Sequence, residues 1–171
     1  GFDAVSSIGL TEHIGRANYP SYFAFLYGKL RPEGRILNHT ITRPNDDWVS
    51  HFRKSFIDRY VFPDGELSGP SQVMTAMNSA GFEVRHEENL REHYAMTLKY
   101  WCENLEEHWD EAVAEAGLGT ARVWRLYMAA SRLGFDINNI QLHQMLGVKL
   151  GPGGSSGMPL RPTFDRVPSY A

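Results

Sequence analysis

The sequence has a single cysteine, Cys102, so no disulfide can close within the chain, and a reducing compartment is the setting it fits. Cys102 follows Trp101 inside a helical pattern, where a small buried or half-buried thiol is the ordinary reading and a nucleophile the exceptional one. No apolar run reaches the ~18 residues of a membrane-spanning helix, and no signal peptide is visible, so the chain is expected to be soluble or at most to lie on a membrane. Positive charge is not in excess. With 17 basic and 20 acidic residues the formal net charge is −3, which leaves no overall field to hold a nucleic acid backbone, and no nucleic acid partner is expected. The run His86-Glu87-Glu88-Asn89-Leu90 starts like a zinc-protease motif but has leucine where the second imidazole would stand, so no metal is expected there. An initiator methionine and a polar lead-in are also absent, since Gly1-Phe2-Asp3-Ala4-Val5 enters directly as a buried strand; an upstream segment is expected.

With 42% hydrophobic and 22% charged residues over 171 positions, the chain can bury one core and reads as one globular domain. Its clearest element is residues 94–116, where Tyr94, Leu98, Trp101, Leu105, Trp109, Ala112, Val113 and Ala116 recur mostly at intervals of three and four. That spacing predicts one long amphipathic helix, stopped by Gly117. Upstream, residues 2–8 predict a strand, 9–15 a glycine-bounded loop, 20–30 a helix with Pro20 in its first turn, 31–34 a turn, and 35–42 a second strand, giving a βαβ unit with a parallel pair. Residues 48–62 predict a helix, 69–80 a shorter one, 82–86 a third strand, and 120–133 a helix capped by Thr120 and ended by Gly134. Residues 139–150 alternate as a strand, with Leu142, Leu146 and Val148 on one side and a wetter side carrying Gln141, His143 and Lys149, suited to an antiparallel edge or next-to-edge position. From 151 to 171 the chain is rich in glycine, serine and proline and is expected to be a flexible tail.

Few polar residues sit where chemistry is done. Glu12 and His13 occupy the loop after the first strand, at the carboxyl end where open α/β sheets place ligands, although a solvated carboxylate is the ordinary reading of Glu12 alone. His39 lies within the second strand and reads either as a hydrogen-bonded structural histidine or as a functional one, according to its partners. His93 and Tyr94 place an imidazole and a phenol at the first turn of the long helix. Residues 48–62 mix aromatics with Arg53, Lys54 and Arg59, as in a helix with one wet face or in a segment whose rings meet acyl chains while its cations meet lipid phosphates.

Four blocks in fixed order, FDAVSSIGLTEHIG, LRPEGRILNHTI, DRYVFPDGEL and HYAMTLKYW, together resemble the C-terminal half of the cyclopropane-fatty-acid synthase family of S-adenosylmethionine-dependent methyltransferases, across about residues 1–150. The pieces YVFPDGEL, EENLREHYA and MPLRP are similar to the tuberculostearic-acid branch of mycobacteria and related actinobacteria. The resemblance implies an α/β fold, the C-terminal part of a class I Rossmann-like methyltransferase sheet, to which this chain brings the fourth, fifth and sixth strands and the antiparallel seventh. The glycine-rich loop and the acidic residue that hold S-adenosylmethionine in that fold belong to its other half, so residues 1–150 are expected to be the C-terminal portion of the catalytic domain and to hold no cofactor-binding residue.

The resemblance further implies a bicarbonate ion acting as base, held by Glu12, His39, Ile41 and Tyr94, with Ile41 as a dry wall. Phe23, Tyr60 and Trp101 are expected to shelter a carbocation, and Arg53, Lys54 and Arg59 to meet the lipid. The implied reaction is methyl transfer to the cis double bond of an unsaturated acyl chain, of the oleoyl kind, on a membrane phospholipid, with the branch favouring a methylene product over a cyclopropane. The protein is then expected on the cytoplasmic, inner face of the plasma membrane. Two other classes are weighed against this, a non-catalytic lipid-surface or dimerisation module and a methyltransferase of small polar acceptors. Strand 2–8, stripped of a neighbour, predicts self-association of the chain and, with the cofactor half absent, an inactive fragment.

Overall fold

The computed structural model describes residues 1–47 and 55–161. Within them a mixed four-stranded sheet is formed by β1 (Phe2–Ile8), β2 (Leu30–Thr42), β3 (Phe82–Asn89) and β4 (Gln141–Lys149), in the spatial order β1-β2-β4-β3. β1 runs parallel to β2, with Val5 opposite Ile36 and Ile8 opposite His39, while β4 lies antiparallel between β2 and β3. The parallel pair and the antiparallel last strand are those implied by the resemblance.

Alternation along the strands gives the sheet two differently covered faces. On one, Ile36 and Met145 pack with Phe23 and Leu26 of α1 (Tyr19–Lys29), Val73 and Met77 of α3 (Pro70–Ser79), and Phe82. On the other, Ile41 and Leu142 meet Tyr94, Ala95 and Leu98 of α4 (Arg91–Glu107) and Met128 and Phe135 of α6 (Leu118–Asp136). Gly147 permits the close packing of the first face, since a β-carbon there would stand 2.8 Å from Met77 Cε and 3.0 Å from Ile36 Cγ2.

Several expected boundaries move, each for a local reason. The long helix begins at Arg91 and breaks at His108, whose φ of −106° and ψ of 29° leave the helical region; α5 (Trp109–Ala116) restarts with Asp110 and Glu111 favouring its positive N-terminal end. The restart lets α5 turn onto α6, where the Arg125 guanidinium sits 5.2 Å over the Trp109 ring. Gly117 ends α5 as expected, at φ 81° and ψ 151°, and α6 follows at once from Leu118 rather than from a Thr120 cap.

The helix 118–136 runs through Gly134; it is Asn138, at φ 62°, that turns the chain out, asparagine being one of the few residues at ease there. Residues 31–34 are not a free turn but the bulged start of β2, with Glu33 at φ 63°. The chain can pass straight from helix to strand because Lys149 Nζ donates to the carbonyls of Tyr27 and Leu30 at 3.0 and 2.8 Å, satisfying the end of α1. The expected wetter side of β4 is instead covered, and His143 is only 4% exposed. Of the expected helix 48–62, residues 48–54, with Arg53 and Lys54, lie outside the described residues; what is described is α2 (Phe56–Tyr60), opened by a capping box between Ser55 and Asp58. Residues 151–161 lie beside the sheet, with Arg35 donating to the Gly157 carbonyl at 2.9 Å.

Candidate active site

The site grows from the end of β1. The parallel ladder closes with Gly9 N–H donating to His39 O at 2.9 Å, and Gly9, at φ 64°, turns the chain away. Alternate residues of a strand direct their backbone groups to the same side, so Ile41 N–H points where β1 would have continued. Glu12 fills that place. Its Oε1 accepts the Ile41 N–H at 2.8 Å, and the residue is 5% exposed. The Thr11 hydroxyl lies 3.5 Å from Oε2, and Glu66 N–H donates to the Glu12 carbonyl at 2.8 Å, pinning the loop from its other side. Arg16, paired with Glu66 at 2.7 Å, ties that second segment down.

His39 stands opposite Gln144 across the β2–β4 ladder, and Gln144 Nε2 lies 3.1 Å from His39 Nδ1. An amide NH₂ only donates, so Nδ1 accepts and the ring proton of the neutral imidazole sits on Nε2. Burial lowers the His39 pKa below its ordinary value, and Glu12 opposes this more weakly. Tyr94 enters from the first turn of α4, set by Leu90 N–H donating to Leu142 O at 2.7 Å. Its ring meets Phe135 edge-on at 5.0 Å and Trp101 at 5.9 Å. Burial raises the phenol's pKa, and the nearby Tyr127 and Glu12 add to the rise, so at neutral pH it is an O–H donor.

These groups share one cavity of ≈ 420 Å³, lined by Glu12, His39, Ile41 and Tyr94. Its walls are apolar and aromatic, with Leu98, Trp101, Phe62 and Phe135 among them, and Arg43 and Asp58 also line it. Half-buried Arg43 has its pKa lowered by desolvation. Ile41 does more than the dry wall expected of it, since it anchors the carboxylate through its backbone. Trp101 lines the cavity. Phe23 does not; it is fully buried on the other face of the sheet, because α1 covers that face. Tyr60 and Arg59 are exposed on α2 and do not line the cavity. Gln144, Tyr127 and Ser131 were not singled out as site residues from the sequence; only Gln144, polar within the Leu142, Leu146 and Val148 row, was there as a signal. Cys102 lies half-buried on α4 with its thiol pKa raised by burial. Among the described residues no cluster of three metal-ligating side chains occurs, and no helix is long and apolar enough to cross a membrane.

The family model "Mycolic acid cyclopropane synthetase" matches residues 1–145. The chain is 62% identical over 165 residues to the probable fatty acid methyltransferase Rv3720 of Mycobacterium tuberculosis, covering 96% of this chain and 38% of that protein. It is 30% identical over 155 residues to the tuberculostearic acid methyltransferase UfaA1 of the same organism, covering 88% of this chain and 36% of that protein. Its fold is similar to that of the mycolic acid cyclopropane synthase CmaA1 complexed with SAH and CTAB, with a TM-score of 0.78 and 28% identity over 86% of this chain and 55% of that one. The chain thus spans well under two thirds of the length of each relative. By the family model and the identities together, it belongs to the mycolic acid cyclopropane synthetase family.

Proposed function

We propose that the protein carrying this sequence transfers the methyl group of S-adenosylmethionine to the cis double bond of an unsaturated fatty acyl chain on a phospholipid, with bicarbonate as the base. The observation that carries this reading is the convergence of Glu12, His39, Ile41 and Tyr94 on one aromatic-walled cavity at the carboxyl ends of β1 and β2. The donor set suits the anion. His39 Nε2–H and the Tyr94 hydroxyl can each donate to it, while Glu12, with Oε1 taken by Ile41, keeps Oε2 to accept the bicarbonate O–H and so orient it.

S-adenosylmethionine, when bound, supplies an electrophilic methyl group. The SAH in the CmaA1 complex supports that choice. The glycine cluster of this sequence, 151–157, follows β4 rather than a βα turn, so the residues described here form the acceptor side and not the cradle of the cofactor. Methyl transfer to the double bond would leave a cation on the neighbouring carbon of the acyl chain, and the protein's own part begins there. Trp101, Phe62 and Phe135 keep water from that carbon, where it would end the reaction as an alcohol. The oriented anion then removes one proton. After a hydride shift its loss gives a methylene branch; without the shift, loss from the added methyl closes a cyclopropane. The likeness to UfaA1 supports the branch.

Incubation of the natural full-length protein with labelled methyl donor and oleoyl phospholipid tests this, with products identified by mass spectrometry. A labelled methylene-branched chain is expected; a ring overturns the branch, and an unlabelled lipid overturns the reaction. We place the protein at the inner face of the plasma membrane as a peripheral enzyme. Exposed Trp101 and Trp124 on the cavity rim support that placement. Binding to anionic vesicles that does not change when Arg53, Lys54 and Arg59 are replaced would count against it.

A further inference from the structure

One phenol in the cavity wall has no part in this account. Tyr127, on α6, faces the same space as Glu12, His39 and Tyr94, its ring held edge-on between Phe62 at 5.7 Å and Trp124 at 5.4 Å. Its packing would be met as well by phenylalanine, as in neighbouring Phe135. A phenolic oxygen in an apolar wall costs free energy unless it is hydrogen-bonded. Ser131, one helical turn on and itself 7% exposed, lines the same wall and is the polar group set beside the Tyr127 side chain. Two polar residues spaced four apart on the cavity-facing side of an otherwise apolar helix face are a built feature, and they line the same cavity as Glu12, His39 and Tyr94. Tyr127 interacts electrostatically with both Glu12 and Tyr94, and burial raises its pKa, so it faces them as a neutral donor.

We propose that the Tyr127 hydroxyl is a second phenolic donor to the anion gathered by Glu12, His39 and Tyr94, with Ser131 orienting it. The inference rests on the bicarbonate reading above. It assigns Tyr127 a contact with the reacting base and Ser131 a positioning role. Donors on two helices, Tyr94 on α4 and Tyr127 on α6, then hold the anion against the end of the sheet. Both phenols keep their protons through the working pH range, so neither competes with the anion for the substrate's proton.

The test is methyl incorporation into oleoyl phospholipid by the natural full-length protein, measured against bicarbonate concentration for wild type, Tyr127→Phe and Ser131→Ala. Tyr127→Phe is expected to raise the half-saturating bicarbonate concentration about tenfold, as for the loss of one hydrogen bond to a charged group. The KM for S-adenosylmethionine should stay the same, and excess bicarbonate should restore most of the turnover. Ser131→Ala should shift the curve in the same direction by a smaller factor. Wild-type half-saturation in both variants overturns the proposal, as does a Tyr127→Phe loss of turnover that bicarbonate does not restore. If Tyr127→Phe does not fold, an unshifted Ser131→Ala curve overturns it alone. A wild-type enzyme indifferent to bicarbonate would instead sink the base-site reading on which the proposal stands.

Discussion

At the scale of single residues, the site depends on how each polar group is held as much as on its identity. His39 can donate into the cavity because Gln144 occupies its other nitrogen. Replacing Gln144 with Leu frees the tautomer and is expected to lower turnover about tenfold, the worth of one such hydrogen bond, while His39→Ala lowers it by roughly 10²–10⁴ and Glu12→Gln similarly. Steady-state kinetics with the natural protein check this, and a Gln144→Leu variant as impaired as His39→Ala would mean that Gln144 does more than orient the ring. That Glu12, His39, Ile41 and Tyr94 share one cavity was legible in the sequence, though through ordered motifs resembling a family rather than as chemistry, since no local pattern separates a site carboxylate from a solvated one. Gln144 was not, because its partner is 105 positions away and becomes a neighbour only through the antiparallel β2–β4 register. Phe23 misled for the opposite reason: an aromatic helix residue looks alike whichever face of the sheet its helix covers.

Among the elements, β2 bears most of the burden, since one side chain row serves the cavity and the other the opposite core. Its end is fixed on that opposite face by the buried His143, whose Nδ1 lies 2.9 Å from Thr42 Oγ1 and whose Nε2 lies 3.4 Å from Glu87 Oε1. Burial lowers the His143 pKa from 6.5, as it does that of His39. A histidine whose folded pKa lies below its unfolded one stabilises the fold above the unfolded value, and that stability is lost as pH falls through the folded value. Glu87, whose pKa burial raises from 4.5, acts in the opposite sense and at lower pH. The thermal midpoint is therefore expected to begin dropping below about pH 6.5, and more shallowly in His143→Gln. Equal slopes in the two proteins would show that the imidazole is not the group being titrated. Element type was readable from periodicity nearly throughout, whereas the break at His108 and the start of β2 at Leu30 were not. Both follow from tertiary partners, α6 for the former and Lys149 for the latter, that no window of sequence contains.

For the molecule as a whole, the sheet order β1-β2-β4-β3 leaves β1 at an edge, with Phe2 64% and Ile8 67% exposed. Unpaired backbone groups along a strand with exposed apolar side chains recruit another chain, so the 171-residue chain by itself is proposed to self-associate. A light-scattering mass near 19.4 kDa at high concentration would refute that. The same strand leads into the loop that carries Glu12. The account's central claim is that this end of the sheet gathers a bicarbonate base for a lipid methyltransferase. It is tested most directly by methyl incorporation into oleoyl phospholipid by the natural full-length protein and its Tyr94→Phe variant at low and high bicarbonate. The account predicts that wild-type turnover rises with bicarbonate and that Tyr94→Phe loses turnover by about 10²-fold or more at low bicarbonate, with the KM for S-adenosylmethionine unchanged. Full activity of Tyr94→Phe at low bicarbonate would contradict it.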